Sequence, residues 1–338
     1  MHNDAIVSQS MTEKPPRDKD SSSEIYAIGL DFGGTNLKAG LVDSKGHLQF
    51  AMSEATPRTI EGFKALAESF ISTLSSKAEV RAVGIGCKGV VDGKTTLLVR
   101  SPGDLKHVEG SSLRELVGAA VGGKSIYADN DARTALIAEW LWGAAKGFQN
   151  VMMLTLGTGV GGAMLMDGRI MRGAHGVAGH VGHMTIEPYG PMCICGNYGC
   201  LETVFSARAI EADAFSARHR RVSSVLTDRA QASDCEQVFQ AAAESDEVAM
   251  WIVNRATLHL GAALASLVHL VDPELIILGG HIAEASAQLL DPLRQELRSR
   301  TRFLIGHDIP IVFPKVPSHT GVIGAAGLAL VESGALRG

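Results

Sequence analysis

Short apolar runs separated by glycine turns fill the first part of the chain, and longer stretches of helical periodicity take over later. From Glu24, IYAIGLDFGGTNLKAGLVDSKGHLQF predicts a strand, a glycine turn, a second strand and, after Ser44-Lys45-Gly46, a third: two short antiparallel hairpins. Between Ile60 and Ser76, Phe63, Leu66, Phe70, Ile71 and Leu74 recur on one helical face. Val80 to Gly86 reads as a short buried strand. A polar loop around Ser101 to Gly110 precedes a helix at Ser112 to Val121 and a strand at Ser125 to Ala128. That strand runs into Asp129-Asn130-Asp131, where Asn130 is placed to cap a helix over Asp131 to Ala145, rich in alanine and leucine.

A second unit repeats the plan. Val151 to Leu156, the turn GTGVGG, Ala163 to Met166 and a turn at Asp167-Gly168 mirror the strand, glycine turn and strand of Ile28 to Leu41, which predicts a duplicated fold. A helix from about Thr203 to Ala217 and an exposed connection, Arg218 to Asp234, come next. Two helices follow, the second long and apolar from about Val248 to Leu270. A strand at Leu275 to Leu278, a Gly279-Gly280 loop, a helix near Ala285 to Arg298, a strand at Ile309 to Phe313 and a helix from about Gly321 to Glu332 close the chain. The expected organisation is a disordered leader over 1–23, a small N-terminal lobe over 24–145 on which the C-terminal helix, about 321–338, packs back, and a large lobe over 146–320.

Composition narrows the class. The 338 residues are 46% hydrophobic and 20% charged, enough for a large core and two domains. A formal net charge of -5 gives no reason to expect nucleic acid or an anionic membrane as partner. The apolar segment Val248 to Val271 is interrupted by Asn254, Arg255, His259 and His269, unlike a membrane helix. Met1 to Ser23 lack the apolar stretch of a signal peptide, and five cysteines with three clustered fit a reducing compartment, so a cytoplasmic location is expected.

The cysteine cluster is the most chemically specific feature. In GAHGVAGHVGHMTIEPYGPMCICGNYGCLE, Gly173 to Glu202, His183 stands ten residues before Cys193-x-Cys195, and Cys200 follows five residues on. Three thiolates and one imidazole complete a tetrahedral zinc shell with no open position, hence a structural ion that fixes this loop and the Glu202 it presents. A disulfide pair plus one spare thiol is the alternative. DFGGTN offers the unhindered amides of Gly33 and Gly34 and the hydroxyl of Thr35 to phosphate oxygens, and Asp31 could hold Mg2+ through water. The second turn, Gly157-Thr158-Gly159-Val160-Gly161-Gly162, suggests a nucleotide held between two domains, one loop from each. Asp131 either complements the helix dipole or, at the carboxyl end of a strand, accepts a proton from an attacking hydroxyl.

Taken together, DFGGTNLKAG, NDA at Asn130 to Ala132, LGTGVGG, GAHGVAGHVGHM and CICGNYGCLE make the chain resemble the ROK family of sugar kinases and sugar-responsive repressors from Ile25 to its C-terminus. The resemblance implies an α/β, actin-like (ribonuclease H-like) two-lobed ATPase fold with duplicated βββαβαβα units, and Mg·ATP-dependent phosphorylation of a hexose 6-hydroxyl. It implies Asp131 as catalytic base; Asn130, His183 and Glu202 on sugar hydroxyls, with His183 also on zinc; Gly33, Gly34, Thr35, Gly157, Thr158 and Gly159 along the phosphates; and Gly279 and Gly280 on the adenosine side. A homodimer or dimer of dimers is also implied.

Five positions depart from the family pattern. His180 stands where a sugar-binding glutamate is usual, Lys88 for a proline, Asp104-Leu105 for asparagine-leucine, Arg133 for a common asparagine, and His281 for a third glycine. Lys88 and Asp104 are candidates to recognise a substrate group, and His180 is expected beside the sugar, altering specificity. The resulting expectation is an ATP-dependent hexose kinase with glucose as first substrate, an N-acetylmannosamine or N-acetylglucosamine kinase being the enzyme alternative. A non-catalytic sugar-binding regulator is the other. The family's repressors carry a winged-helix domain ahead of this region, whereas the two dozen residues before the first strand here show no helical periodicity.

Overall fold

The computed structural model describes residues 24–337 apart from 102, 228–231, 286–288 and 317, so the expected disordered leader at 1–23 lies outside the described residues. In the first half, β1 (Tyr26–Phe32), β2 (Asn36–Asp43), β3 (Leu48–Ala55), α1 (Ile60–Ser75), β4 (Val80–Cys87), β5 (Val90–Asp92), β6 (Leu97–Arg100), α2 (Leu113–Val117), β7 (Ser125–Asn130) and α3 (Asp131–Trp142) follow in order. Its sheet runs β3-β2-β1-β4-β7. β1 is antiparallel to β2 and parallel to β4, which is parallel to β7. The register sets Asp31 beside Gly86 and Gly86 beside Asp129, so two acidic residues share one row across β4, one position from the carboxyl ends of β1 and β7.

The second half contains β8 (Val151–Leu156), β9 (Val160–Met166), β10 (Arg169–Ile170), α4 (Leu201–Val204), α5 (Ala207–His219), α6 (Cys235–Ala243), α7 (Glu247–Val271), β11 (Leu275–Gly279), α8 (His281–Ala285), α9 (Leu290–Thr301), β12 (Ile311–Val312) and α10 (Thr320–Glu332). Its sheet runs β10-β9-β8-β11-β12. The antiparallel and parallel senses match those of the first sheet strand for strand. α7 is long and apolar enough to cross a membrane by length and composition, but Ile252, Ala256, Leu260 and Leu264 are buried in the second half's core against α5, α6 and α9.

Between the sheets lie α10 and α3, back to back. α10 covers the first sheet so closely that a methyl group on Gly29 would overlap Val322 O, and one on Gly84 would overlap Ala325 O; only glycine permits that approach. On the other side, Leu136, Ile137 and Trp140 of α3 pack on Met153, Ala163 and Ile277 of the second sheet. The two helices meet where Gly324 faces the Thr134 carbonyl. Their N-termini both open toward the carboxyl edges of the strands.

Several boundaries move for identifiable reasons. α3 ends at Trp142 rather than Ala145, because buried Glu139 accepts the Ala144 amide at 2.6 Å, and also the amides of Lys315 and Val316 at 2.9 and 2.8 Å. The helix expected over Thr203 to Ala217 is two: Ser206 is extended and its hydroxyl caps α5 through the Ala209 amide at 3.1 Å. The helix expected at Ser112 to Val121 loosens into a 3-10 turn from Gly118. α8 and α9 replace a single helix near Ala285 to Arg298, and β12 is two residues long between Pro310 and Pro314. The connection from Arg218 to Asp234 is not wholly exposed, since Ser224, Leu226 and Ser233 are buried. β5 and β6 were not anticipated.

Candidate active site

The β7 to α3 junction positions the central groups. Asn130 is extended and its Oδ1 accepts the Ala132 amide at 3.0 Å, the N-cap expected of it. Its Nδ2 donates to Gly89 O at 2.9 Å and to Asp131 Oδ1 at 2.8 Å. Asp131 Oδ1 also accepts the Ala132 amide at 3.0 Å, so this oxygen is fixed, and no other residue among those described bonds to Oδ2. Burial raises the Asp131 pKa; the Ala132 amide, the Lys88 charge and Asn130 oppose it. A carboxylate held this way is oriented and more basic than usual, as a proton acceptor needs to be. Lys88, exposed at the end of β4, is thus an electrostatic neighbour of Asp131.

Asp31 ends β1 beside the first turn of α10, where a methyl group on Gly321 would lie 2.6 Å from its Oδ2. Burial, and then the charge of Asp131, pushes its pKa up to about 6, with Lys38 opposing. Among the described residues no donor hydrogen-bonds to this carboxylate. Asp31 is thus a buried carboxylate beside the charge of Asp131, and a bound cation would favour its ionised form.

The two glycine turns flank these acids. Gly33-Gly34-Thr35 joins β1 to β2, braced by Thr56, whose hydroxyl donates to Gly33 O at 2.7 Å and whose amide donates to Thr35 O at 2.9 Å. Asp104 lies against Gly34, its Oδ1 held by Arg58 Nη1 at 2.7 Å. The second turn is shorter than GTGVGG suggested. Leu156 already pairs with Val160 across the hairpin, leaving Gly157-Thr158-Gly159 as the turn and putting Val160 to Gly162 in β9. Glu202 Oε2 accepts the Val160 amide at 2.9 Å, closing over Gly159. Gly280 sits on Leu156, and the His281 ring packs on Gly157, so the Gly279-Gly280 loop joins the same edge.

His180 and His183 come from the loop after β10. The His180 Nδ1 lies 3.2 Å from Val177 O, while Nε2 is buried without a partner among the described residues. Burial, then the Arg133 charge and His183, holds its pKa below the usual histidine value, and the Val177 and Gly89 carbonyls oppose. The imidazole is therefore held toward its neutral form, with Nε2 near the Gly89 carbonyl but outside good hydrogen-bond geometry.

His183, Cys193, Cys195 and Cys200 converge so that their four ligand atoms lie within 4.8 Å of one another. His183 Nδ1 is 3.6 Å from Cys193 Sγ, and Cys195 Sγ is 3.7 Å from Cys200 Sγ. Tetrahedral zinc with bonds of ~2.3 Å to sulfur and ~2.0 Å to nitrogen gives edges of about 3.5 to 3.8 Å, so the donor set fits the ion. All five cysteines are free in this structure, and the four donors are arranged as a metal site rather than as a bonded sulfur pair. Burial pushes the Cys200 thiol up to about 12, a state that a metal ion's charge would reverse.

One set of partners escaped the sequence reading. Buried Asp129 binds Arg133 Nη1 at 2.8 Å and Arg172 Nε at 2.6 Å, and Arg172 Nη2 reaches Glu332 at 2.8 Å. Nothing in local spacing signals pairs 43 and 160 residues apart.

A family model described as ROK family matches residues 27–332. The glucokinase of Thermotoga maritima is 31% identical over 314 residues, covering 90% of this chain and 97% of that protein. Among solved structures, the ROK hexokinase from Thermus thermophilus is similar at a TM-score of 0.80 and 30% identity, covering 92% of this chain and all of that one. A ROK family glucokinase from Streptomyces griseus, in complex with glucose and AMPPNP, is similar at a TM-score of 0.73 and 32% identity over 90% of this chain and 99% of that chain.

Proposed function

The chain belongs to the ROK family, and on that premise we propose that it is an ATP-dependent hexose kinase, transferring the γ-phosphoryl group of Mg·ATP to the 6-hydroxyl of a hexose, with glucose as first substrate. The observation that carries this reading is Asp131 itself: a carboxylate with raised pKa, one oxygen fixed by Asn130 and Ala132, at the helix end toward which both glycine turns and the histidine loop lead.

In this reading Asn130, His180, His183 and Glu202 hold sugar hydroxyls, and Asp131 takes the proton of the 6-hydroxyl as its oxygen bonds to the γ-phosphorus and the bond to the departing ADP oxygen breaks. Gly33, Gly34, Thr35, Gly157, Thr158 and Gly159 line the phosphates, with Gly279 and Gly280 toward the adenosine. Asp31 would hold Mg2+, which when bound would neutralise charge on the phosphates. Zinc on His183, Cys193, Cys195 and Cys200 is structural: His183 Nδ1 faces the sulfurs, which leaves Nε2 for the sugar.

The same strand order and sense in both sheets support an actin-like architecture of two lobes built from duplicated units, 24–145 with α10 packed back on it, and 146–320 carrying the zinc loop. The free cysteine cluster supports a reducing, cytoplasmic setting, and the net charge of -5 supports sugar and nucleotide rather than nucleic acid or membrane as partners. A homodimer or dimer of dimers is the assembly expected of the family.

The test is a coupled assay with Mg·ATP over glucose, mannose, allose, glucosamine, N-acetylglucosamine and N-acetylmannosamine, for the native protein and for His180→Glu. Turnover of no hexose by the native protein sinks the kinase reading. Identical sugar ranking and similar rates in both proteins would show that His180 does not read the substrate. An N-acetylated amino sugar as the best substrate would move the protein to the enzyme alternative.

A further inference from the structure

Arg133 is the largest fully buried side chain among the described residues, and phosphoryl transfer makes no use of it. A guanidinium taken wholly out of water is costly unless its charge and donors are matched. Its charge meets Asp129, and one nitrogen, Nη2, donates to both Gly176 O and Ala178 O at 2.7 Å each, while Nε has no partner among the described residues. Those carbonyls belong to the loop that carries His180 and His183.

That loop spans both halves of the molecule. A methyl group on Gly176 would lie 2.6 Å from Val91 O of β5, whereas one on Gly179 would lie 2.9 Å from Gly162 O of β9. In the part of the loop up to His180, the bonds from the Ala178 amide to Arg172 O and from the His180 amide to Val177 O are both 3.3 Å, long for backbone pairs; a short one, from the Val181 amide to Gly179 O at 2.7 Å, comes only at its end. Arg133 supplies the shorter, charge-assisted bonds from outside. Arg172, at the loop's start, is tied to the same Asp129 and to Glu332 at the end of α10.

We propose that Arg133 is a positioning residue, which holds the loop from Gly173 to His183 in its sugar-competent shape before sugar arrives, by gripping the Gly176 and Ala178 carbonyls while Asp129 neutralises it. The effect on sugar rests on the hexose kinase reading; the effect on the loop does not. A preformed loop spares binding the cost of ordering it. The planar fork reaches three acceptors at once, which a lysine ammonium cannot do from one point.

Two variants test this: Arg133→Lys, and Asp129→Asn/Arg133→Met, which leaves no unpaired charge at this pair of positions. Hydrogen exchange read by mass spectrometry on the unliganded, zinc-loaded protein should show residues 173–183 exchanging about tenfold faster or more in the double variant, with 193–200 unchanged. The sugar KM should rise about ten- to a hundredfold while the ATP KM stays within about twofold, with Arg133→Lys intermediate. Unchanged exchange over 173–183 overturns the proposal. So does a parallel rise of both KM values with a fall in melting temperature, the mark of a purely structural role. Absence of sugar turnover by the native protein would sink the kinase reading instead, and the exchange comparison would still decide the loop.

Discussion

Glu202 Oε2 accepts the amide of Val160 at 2.9 Å, so the residue two positions beyond the last cysteine of the zinc cluster is bonded to the first residue after the second glycine turn. The cysteine loop and the second glycine turn are thereby joined by a single carboxylate. On the proposed reading its other oxygen would meet a sugar hydroxyl. Glu202→Gln keeps an acceptor for Val160 and is expected to raise the sugar KM about tenfold with little change in the ATP KM. Glu202→Ala leaves the Val160 amide unmatched and should raise both. Steady-state kinetics with each substrate varied in turn will separate these; equal effects of the two variants on both KM values would disprove the bridging role.

Asp131→Asn is expected to lower kcat by ~10²- to 10⁴-fold with sugar affinity largely kept, since it removes the proton acceptor and little else. Because burial raises the Asp131 pKa, the acid limb of the kcat/KM profile should lie above the ordinary aspartate value: activity present at higher pH is lost as the carboxyl protonates. Lys88 opposes that rise, so Lys88→Ala should move the limb to still higher pH. A pH profile that Lys88→Ala leaves in place would show that Lys88 does not act on Asp131.

Asp31 makes the opposite demands on stability and activity. Its folded pKa of about 6 exceeds the ordinary aspartate value of 3.8, so between those values the folded state holds a proton that the unfolded chain has released. Stability from the protonated form is complete below about pH 3.8 and is lost as pH rises through 6, a difference of up to about 3 kcal/mol. Asp31→Asn should therefore melt a few degrees higher than the native protein at pH 7.5, match it near pH 4, and lose Mg·ATP-dependent activity. Melting curves at the two pH values, without nucleotide, check this.

The zinc prediction is one ion per chain, by elemental analysis. Cys195→Ser should lower the melting temperature and, by freeing Glu202, raise the ATP KM as well as the sugar KM. A protein without zinc, or a variant with unchanged melting and kinetics, would refute it.

Legibility in the sequence followed the range of the interaction. The cap at Asn130, the first glycine turn and the grouping of His183 with Cys193, Cys195 and Cys200 all depend on residues within a few positions to 17 of each other, and are legible in the sequence; in the structure Asn130 caps α3 and the four side chains converge. The turn at Gly157 was read too long because only strand pairing across the hairpin, Leu156 with Val160, decides where β9 starts. β5 and β6, of three and four residues, are too short to show a period. Glu139 looks like any helical glutamate, yet it ends α3 by accepting amides from a segment more than 170 residues away. Arg133 was visible as an unusual residue at its position, but two of its three acceptors are backbone carbonyls more than 40 residues away, which carry no side-chain signature.

The close seat of α10 on Gly29 and Gly84 also has a meaning in time. β1, β4 and β7 are complete by Asn130, but their covering helix begins at Thr320, so residues 131 to 319 must be synthesised in between. At ~5–20 residues per second this is a delay of roughly 10 to 40 s. Until then, the face of β1 and β4 that Gly29 and Gly84 shape for α10 has no helix to cover it, so completion of the first half's core waits for the end of the chain.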